Sequence, residues 1–241
     1  MSSKDFLSHL EELRRRLLLC LVVFAVFSAL SAFLSREILD FLTLPLRRFS
    51  NADLFFQRPY EAFLIRLKVS AFAGFVLASP FFFAQVWLFV APGLYEKEKM
   101  VLFPLIFFSA AFFLAGGIFA YFIIIPFGLH FLLGFQTENL KPLLSVGPYF
   151  SFLTGMSLAT GLFFDAPIIL IGLVHFGILQ STSLAKARRP IIVCIFIAAA
   201  VLTPSPDPVS QVILAIPLLL LFEISLLITR WLERKKTAIE I

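Results

Sequence analysis

Charge is scarce in this chain. Of its 241 residues, 15% are Asp, Glu, Lys or Arg, against about 25% in an ordinary soluble domain. Histidine occurs three times and cysteine twice, and neither is clustered. His9, His130 and His175 have no i,i+4 partner suited to a metal, and the last two read as bundle or interface histidines. Cys20 and Cys194 sit singly inside apolar runs. They read as lipid- or core-buried thiols and leave the redox compartment undetermined. Also missing are HExxH, a Walker A loop, GxSxG and a GxGxxG placed after a strand. An intramembrane aspartyl protease would need two membrane aspartates, and only Asp165 falls in an apolar run. The reading is a protein that is not an enzyme and has no metal or other cofactor.

What the chain has is apolar surface. Hydrophobic residues make up 60%, 32 of them Phe, and the mean hydropathy is +0.98. A soluble globule of this size leaves roughly a quarter or more of its unfolded surface exposed, too much to hide so many apolar side chains. Disorder, collagen, a coiled coil and a nucleic-acid-binding domain are excluded on the same grounds. The class is an all-α integral membrane protein. The net charge of +5 lies mostly between apolar runs, where anionic headgroups and topology account for it.

A span needs about 20 apolar residues to cross ~30 Å of hydrocarbon. Six are expected in one transmembrane domain over 1–241: Leu17–Leu34, Val69–Leu94, Val101–Phe135, Pro148–Leu179, Pro190–Leu202 and Val209–Thr229. The first is longer than a cleaved signal's apolar core and has Glu11 and Glu12 among its leading arginines, so it reads as a retained helix. Thirteen basic residues lie on the side of the termini and seven on the other, which places both termini in the cytoplasm. Six of those seven fall between Ser35 and Lys68, a segment apolar enough to form short interfacial helices. The third span, 35 residues, must tilt, bend at Pro126 or project into water. The fifth, 13 residues, is about 20 Å long and cannot cover the hydrocarbon. The turn Thr203-Pro-Ser-Pro-Asp-Pro208 is a rigid cap, with or without local thinning of the bilayer. Pro80, Pro104, Pro126, Pro167 and Pro217 suggest curved helices around a concavity. There is no internal repeat of the kind seen in inverted-repeat transporters.

Three acidic places could carry function. On a helix through Ser8–Arg16, His9, Glu12 and Arg16 share one face, and Glu11→Arg15 and Glu12→Arg16 are i,i+4 pairs. Glu12 is either half of a solvated pair or an anion facing the bundle. Glu96 and Glu98 lie in the next turn on the same side of the membrane. They are either solvated or, with Glu12, a receptor for paired guanidiniums, which carboxylates bind in bidentate fashion. Asp165 sits near the middle of a span, where a charged Asp costs roughly 2.5–3.5 kcal/mol. It is either a hydrogen-bonded structural acid or a polar contact for a passenger inside the membrane. Glu223 makes a weaker version of the same case, and Gln211 is a polar group for helices docking at spans five and six.

Several segments, in order along nearly the whole chain, resemble the TatC family, the multispanning receptors of the twin-arginine protein translocase. They are His9-Leu-Glu-Glu-Leu-Arg-Arg-Arg16; Ser79-Pro80 with Gln85 to Tyr95 and Glu98; Phe119-Ala-Tyr-Phe122 with Pro126; Phe164-Asp-Ala-Pro167; Lys186 to Pro190; and Leu202-Thr-Pro204 through Ser210 to Pro217 with Phe222-Glu-Ile224. The resemblance implies six helices in a concave, glove-like arrangement, and the run lengths make the last two short. It implies binding of S-R-R-x-F-L-K signal peptides at the cytoplasmic face, with Glu12 and Glu98 as the acids and Arg14 and Phe89 at further functional positions. Glu96 joins this set by its place in the chain, and Pro45 and Pro204 match structural positions. The implied partners are TatB and TatA, single-span proteins, with lipid and further copies of the chain but no nucleic acid. The implied location is an energy-transducing inner membrane, with folded passengers driven by the proton-motive force. The family usually has Glu where this chain has the shorter Asp165. Two other readings compete: a proton-coupled solute permease using Asp165, and a passive membrane scaffold. The lack of repeats and of a second intramembrane charge at similar depth counts against the permease.

Overall fold

This computed structural model describes residues 3–49, 54–90, 99–134, 144–202 and 208–239, with side chains for 9–47, 54–90, 100–134, 144–202, 208 and 211–233. Helix dominates. The order is α1 (Ser3–Phe33), α2 (Ser35–Phe49), β1 (Leu54–Phe55), α3 (Glu61–Val90), a 3₁₀ turn (Lys99–Val101), α4 (Leu102–Phe119), a π turn (Ala120–Ile124), α5 (Ile125–Leu133), β2 (Leu144–Ser145), α6 (Val146–His175), α7 (Ser181–Lys186), α8 (Arg188–Leu202) and α9 (Pro208–Ile239). Among the described residues, five helical stretches are long and apolar enough to cross a membrane: His9–Phe33, Glu61–Val90, Leu102–Leu133, Val146–His175 and Gln211–Glu233. The fifth apolar run, Pro190–Leu202, is helical as α8, whose 15 residues span about 22 Å.

The helices run past the apolar runs. α3 begins at Glu61, eight residues before Val69, and carries exposed Arg66 and Lys68 on its first turns. The basic segment 35–49 folds as one amphipathic helix, α2, with Leu42, Pro45 and Leu46 buried and Arg36, Asp40 and Arg47 exposed. The long third run stays helical through Pro126 because a π turn precedes it. The extra residue in that turn accommodates a proline that has no N–H to donate and whose ring would crowd the preceding turn. After α6 the chain reverses at Gly177, with φ +72°, a backbone that glycine adopts without a Cβ penalty.

The chain divides into two compact units. The first comprises Met1–Leu42 with Phe56–Ala110. In it α1 and α3 lie antiparallel: His9 meets Phe89, Arg16 meets Gln85, Phe24 meets Phe75 and Ser28 meets Gly74. A Cβ on Gly74 would lie 2.6 Å from Ser28 Cα, so the two backbones approach as only small residues allow. Trp87 Nε1 donates to Ser109 Oγ at 3.0 Å in the buried interior.

Ser79-Pro80 has a local explanation. Pro80 lacks the N–H that would bond the Val76 carbonyl. The Ser79 hydroxyl donates to that carbonyl at 2.7 Å, and Ser79 is buried. In a helix surrounded by lipid or protein, no water can do this work. Ser79→Ala is therefore expected to cost about 1 kcal/mol, read as a lower melting temperature of the purified chain in detergent. Unchanged melting would show that the carbonyl needs no partner.

The second unit comprises Thr43–Phe55 with Ala111–Ile241. β1 and β2 pair in parallel, Leu54 with Leu144 and Phe55 with Ser145. α8 and α9 form an antiparallel hairpin that packs on α6. Val174, Leu184, Phe222 and Leu226 make a buried cluster flanked by Leu170, Leu179, Ile191 and Ile195. Glu233 on α9 caps α7: it accepts the Ser181 N–H at 2.7 Å and also the Ser181 hydroxyl. Cys194 is exposed on α8 and Cys20, in the first unit, is half-buried, so neither thiol lies in a protein core.

Candidate functional site

The polar end of the α1–α3 pair holds a cluster of directed hydrogen bonds centred on one guanidinium. Helical spacing puts His9, Glu12 and Arg16 on one face of α1, and antiparallel packing brings the last turn of α3 against it. Arg16 is the centre. Its Nε and Nη2 donate to Glu12 Oε1 at 3.0 and 2.6 Å. Its Nη1 donates to Gln85 Oε1 at 3.0 Å, and Nη2 also reaches the Leu88 carbonyl at 3.2 Å. Two turns before Arg16, the His9 ring stacks on Phe89 with centroids 4.3 Å apart, and His9 Nδ1 lies 4.0 Å from Glu12 Oε2. A cleft of about 540 Å³ opens beside this cluster, lined by Glu11, Glu12, Arg15, Arg16, Leu19 and Gln85.

Of the residues singled out for this end, the structure brings Glu12 and Phe89 together, through His9 and Arg16. Arg14 is elsewhere. It points around α1 into a second cleft with Glu11, Arg15, Leu18, Leu19 and Val22. Glu96 and Glu98 lie outside the described residues, as does Pro204. The solvated-pair reading of Glu12→Arg16 is half right: the i,i+4 pair forms, but it also reaches across to α3. Gln85 enters the sequence reading only as the first residue of a segment that resembles the TatC family, with no role assigned to its side chain.

The second unit holds the other candidates. Asp165 is 3% exposed in the C-terminal half of α6, turned into the protein. Its neighbour Phe164 packs on Phe119 with ring centroids 5.3 Å apart. Glu223 forms an ion pair with Arg188, whose Nε donates to Glu223 Oε1 at 2.9 Å. Thirty-five positions separate the two, so no local pattern could have paired them. Gln211 Nε2 donates to the Phe196 carbonyl at 2.9 Å, closing the α8–α9 hairpin. A small apolar cleft of about 170 Å³ lies along α6, α8 and α9, among Phe163, Pro167, Leu170, Cys194, Leu218 and Phe222. Pro45 is buried in α2. Among the described residues no His, Cys, Asp and Glu cluster could hold a metal.

What the first site can do is bind cations with directed donors. It holds a guanidinium on a carboxylate, a side-chain amide and a backbone carbonyl, next to an aromatic face. Those acceptors suit planar forked donors far better than an ammonium.

The model of the family "Sec-independent protein translocase protein (TatC)" matches residues 8–217. A TatC protein of Magnetococcus marinus is 39% identical over 230 residues, covering 95% of this chain and 84% of that protein. The TatC of Aquifex aeolicus is 37% identical over 235 residues, covering 96% of this chain and 97% of that one. A crystal structure of the twin-arginine translocase receptor TatC in DDM is 37% identical and superposes with a TM-score of 0.80, over 92% of this chain and 99% of that one.

Proposed function

The chain belongs to the TatC family of Sec-independent protein translocase proteins, and on that premise we propose that it is the subunit that recognises twin-arginine signal peptides. It is a multi-pass, all-helical membrane protein of a protein-transport complex. The signal's consecutive arginines dock at the polar end of α1 and α3 on Glu12, with Glu98 and Glu96 as the further acids of the set and Phe89 offering a ring face. The observation that carries this reading is the Glu12 carboxylate, which already binds a guanidinium in directed geometry at the mouth of a 540 Å³ cleft. Both termini lie in the cytoplasm of a cell with an energised inner membrane, in keeping with the excess of basic residues on their side.

The apolar part of the signal then follows the membrane helices toward Asp165, an acid within a membrane span, where ionisable side chains are rare and mark polar contacts. Single-span partners of the TatA and TatB type dock along α8 and α9. The exposed apolar face of the 15-residue α8 and the small cleft beside it, large enough for one side chain, offer such a helix a surface to pack on. Arg188 engages both Glu223 oxygens, and Gln211 donates within the chain through Nε2, so a polar partner uses Gln211 Oε1. Passengers cross folded, driven by the proton-motive force. The direct test is capture of a signal peptide by the purified chain in lipid nanodiscs. An Arg-Arg peptide is expected to bind about tenfold or more tighter than its Lys-Lys counterpart, because a point charge cannot use forked acceptors. Equal binding of the two would remove the carboxylate–guanidinium mechanism, and solute uptake by the chain alone in liposomes would favour a permease.

A further inference from the structure

The carboxylate assigned to the signal's arginine already holds one of the chain's own. Arg16 gives Glu12 two donors, at 3.0 and 2.6 Å, while keeping Gln85 Oε1 and the Leu88 carbonyl as further acceptors. We propose that Arg16 is a resident stand-in for the signal's guanidinium: it occupies Glu12 in the empty receptor and yields it when a twin-arginine peptide docks. This rests on the recognition reading above and adds to it a rule for entry.

Three features make the exchange feasible. The incoming and outgoing groups are chemically the same, so the acid never loses its partner at a partly dry interface, where an unpaired charge is costly. Arg16 keeps two acceptors after release, both on α3, so its guanidinium is not stranded either. Arg16 and Glu12 are only partly buried, at 21% and 31% side-chain exposure, and the adjoining cleft admits a side chain. The Phe89 ring is occupied in the same manner, by the His9 imidazole.

The consequence is a threshold. A ligand that must evict a bound group has its affinity lowered by the fraction of receptors already open. Single cations and loosely basic segments, abundant beside any anionic membrane, fall below that threshold. A peptide with two guanidiniums and an apolar tail clears it.

The test titrates a fluorescent peptide bearing S-R-R-x-F-L-K, and its Lys-Lys version, against the full chain in nanodiscs. Arg16→Gln is expected to bind the Arg-Arg peptide about tenfold tighter than wild type, the scale of one charge-assisted contact. Arg16→Lys keeps the charge and the fold but loses the fork, and is expected to gain about threefold. In a Glu12→Ala background, Arg16→Gln is expected to gain nothing. Affinity at or below wild type in both Arg16 variants, with the Arg-Arg preference intact, would make Arg16 a positioning residue and overturn the proposal. A gain in Arg16→Gln with none in Arg16→Lys, or a gain that persists without Glu12, would show simple charge repulsion and overturn it too. A wild type with no Arg-Arg preference would instead defeat the recognition reading itself.

Discussion

With Glu12 and Glu98 both changed to Ala, the chain is expected to bind an Arg-Arg signal peptide about 100-fold more weakly and to lose its preference over Lys-Lys. A hydrogen bond to a charged group contributes about 1.5–3 kcal/mol net, and every 1.4 kcal/mol is tenfold. Two such contacts set the scale. Glu12→Ala alone is expected to cost only about tenfold, because the lost contact is offset by the end of competition from Arg16. In an Arg16→Gln background the same substitution should therefore cost more than it does in wild type. That non-additivity is what a shared acceptor produces. The isosteric Glu12→Gln, Glu98→Gln pair separates charge from shape, since it keeps the volume and one acceptor oxygen at each site. The readout is peptide titration, with melting of each variant as a check on folding. Retention of wild-type affinity by the double Ala variant would place recognition on other residues.

How much of this was readable from the chain alone differs by level. The membrane helices were legible because each is written as a long apolar run, a signal that lipid makes nearly unambiguous. Their ends were not. α3 starts at Glu61 and α9 runs to Ile239, since a helix continues into the polar interface with charged side chains on its faces, where hydropathy gives no edge. The π turn at Ala120–Ile124 and the pairing of β1 with β2 rest on backbone geometry and on contacts between segments 90 residues apart, which no local pattern encodes. The Glu12–Arg16 pair was legible from i,i+4 spacing. Its second half, Gln85 and the Leu88 carbonyl, depended on the register of α1 against α3. That register is set by Gly74 meeting Ser28 and by Phe24 against Phe75, a matter of shape. Arg14 and Glu12 are two apart in sequence but line different clefts, because positions two apart on a helix are separated by about 200°. Glu223 looked like an isolated acid until Arg188 came beside it.

A large effect on the fold itself is expected at Gly116. A Cβ there would lie 2.8 Å from Gly161 Cα, from Phe164 Cβ and from the Thr160 carbonyl oxygen. Each of those atoms belongs to the body of α6 and cannot rotate away. Ordinary contact begins near 3.4 Å, so α4 and α6 would have to separate by about half an ångström. Glycine at such a crossing lets backbones touch, which is how helices associate where no hydrophobic force acts between them. Gly116→Ala is expected to destabilise by about 1–3 kcal/mol, and Gly116→Leu to prevent folded protein from accumulating. The adjacent Gly117 is the control. Its Cβ would meet only the Ser157 carbonyl, at 3.9 Å, so Gly117→Ala should be neutral or gain up to about 1 kcal/mol of helix propensity. Gly155, with nothing within 4 Å of a Cβ, should behave like Gly117. Melting and monodisperse yield in detergent read all four variants. The shift at Gly116 also bears on function, because it pushes on Phe164 and so on Asp165, the next residue of α6 and its buried acid. A Gly116→Ala protein as stable as wild type would mean that α4 and α6 are not held together at this crossing, and that the burial of Asp165 must be secured elsewhere.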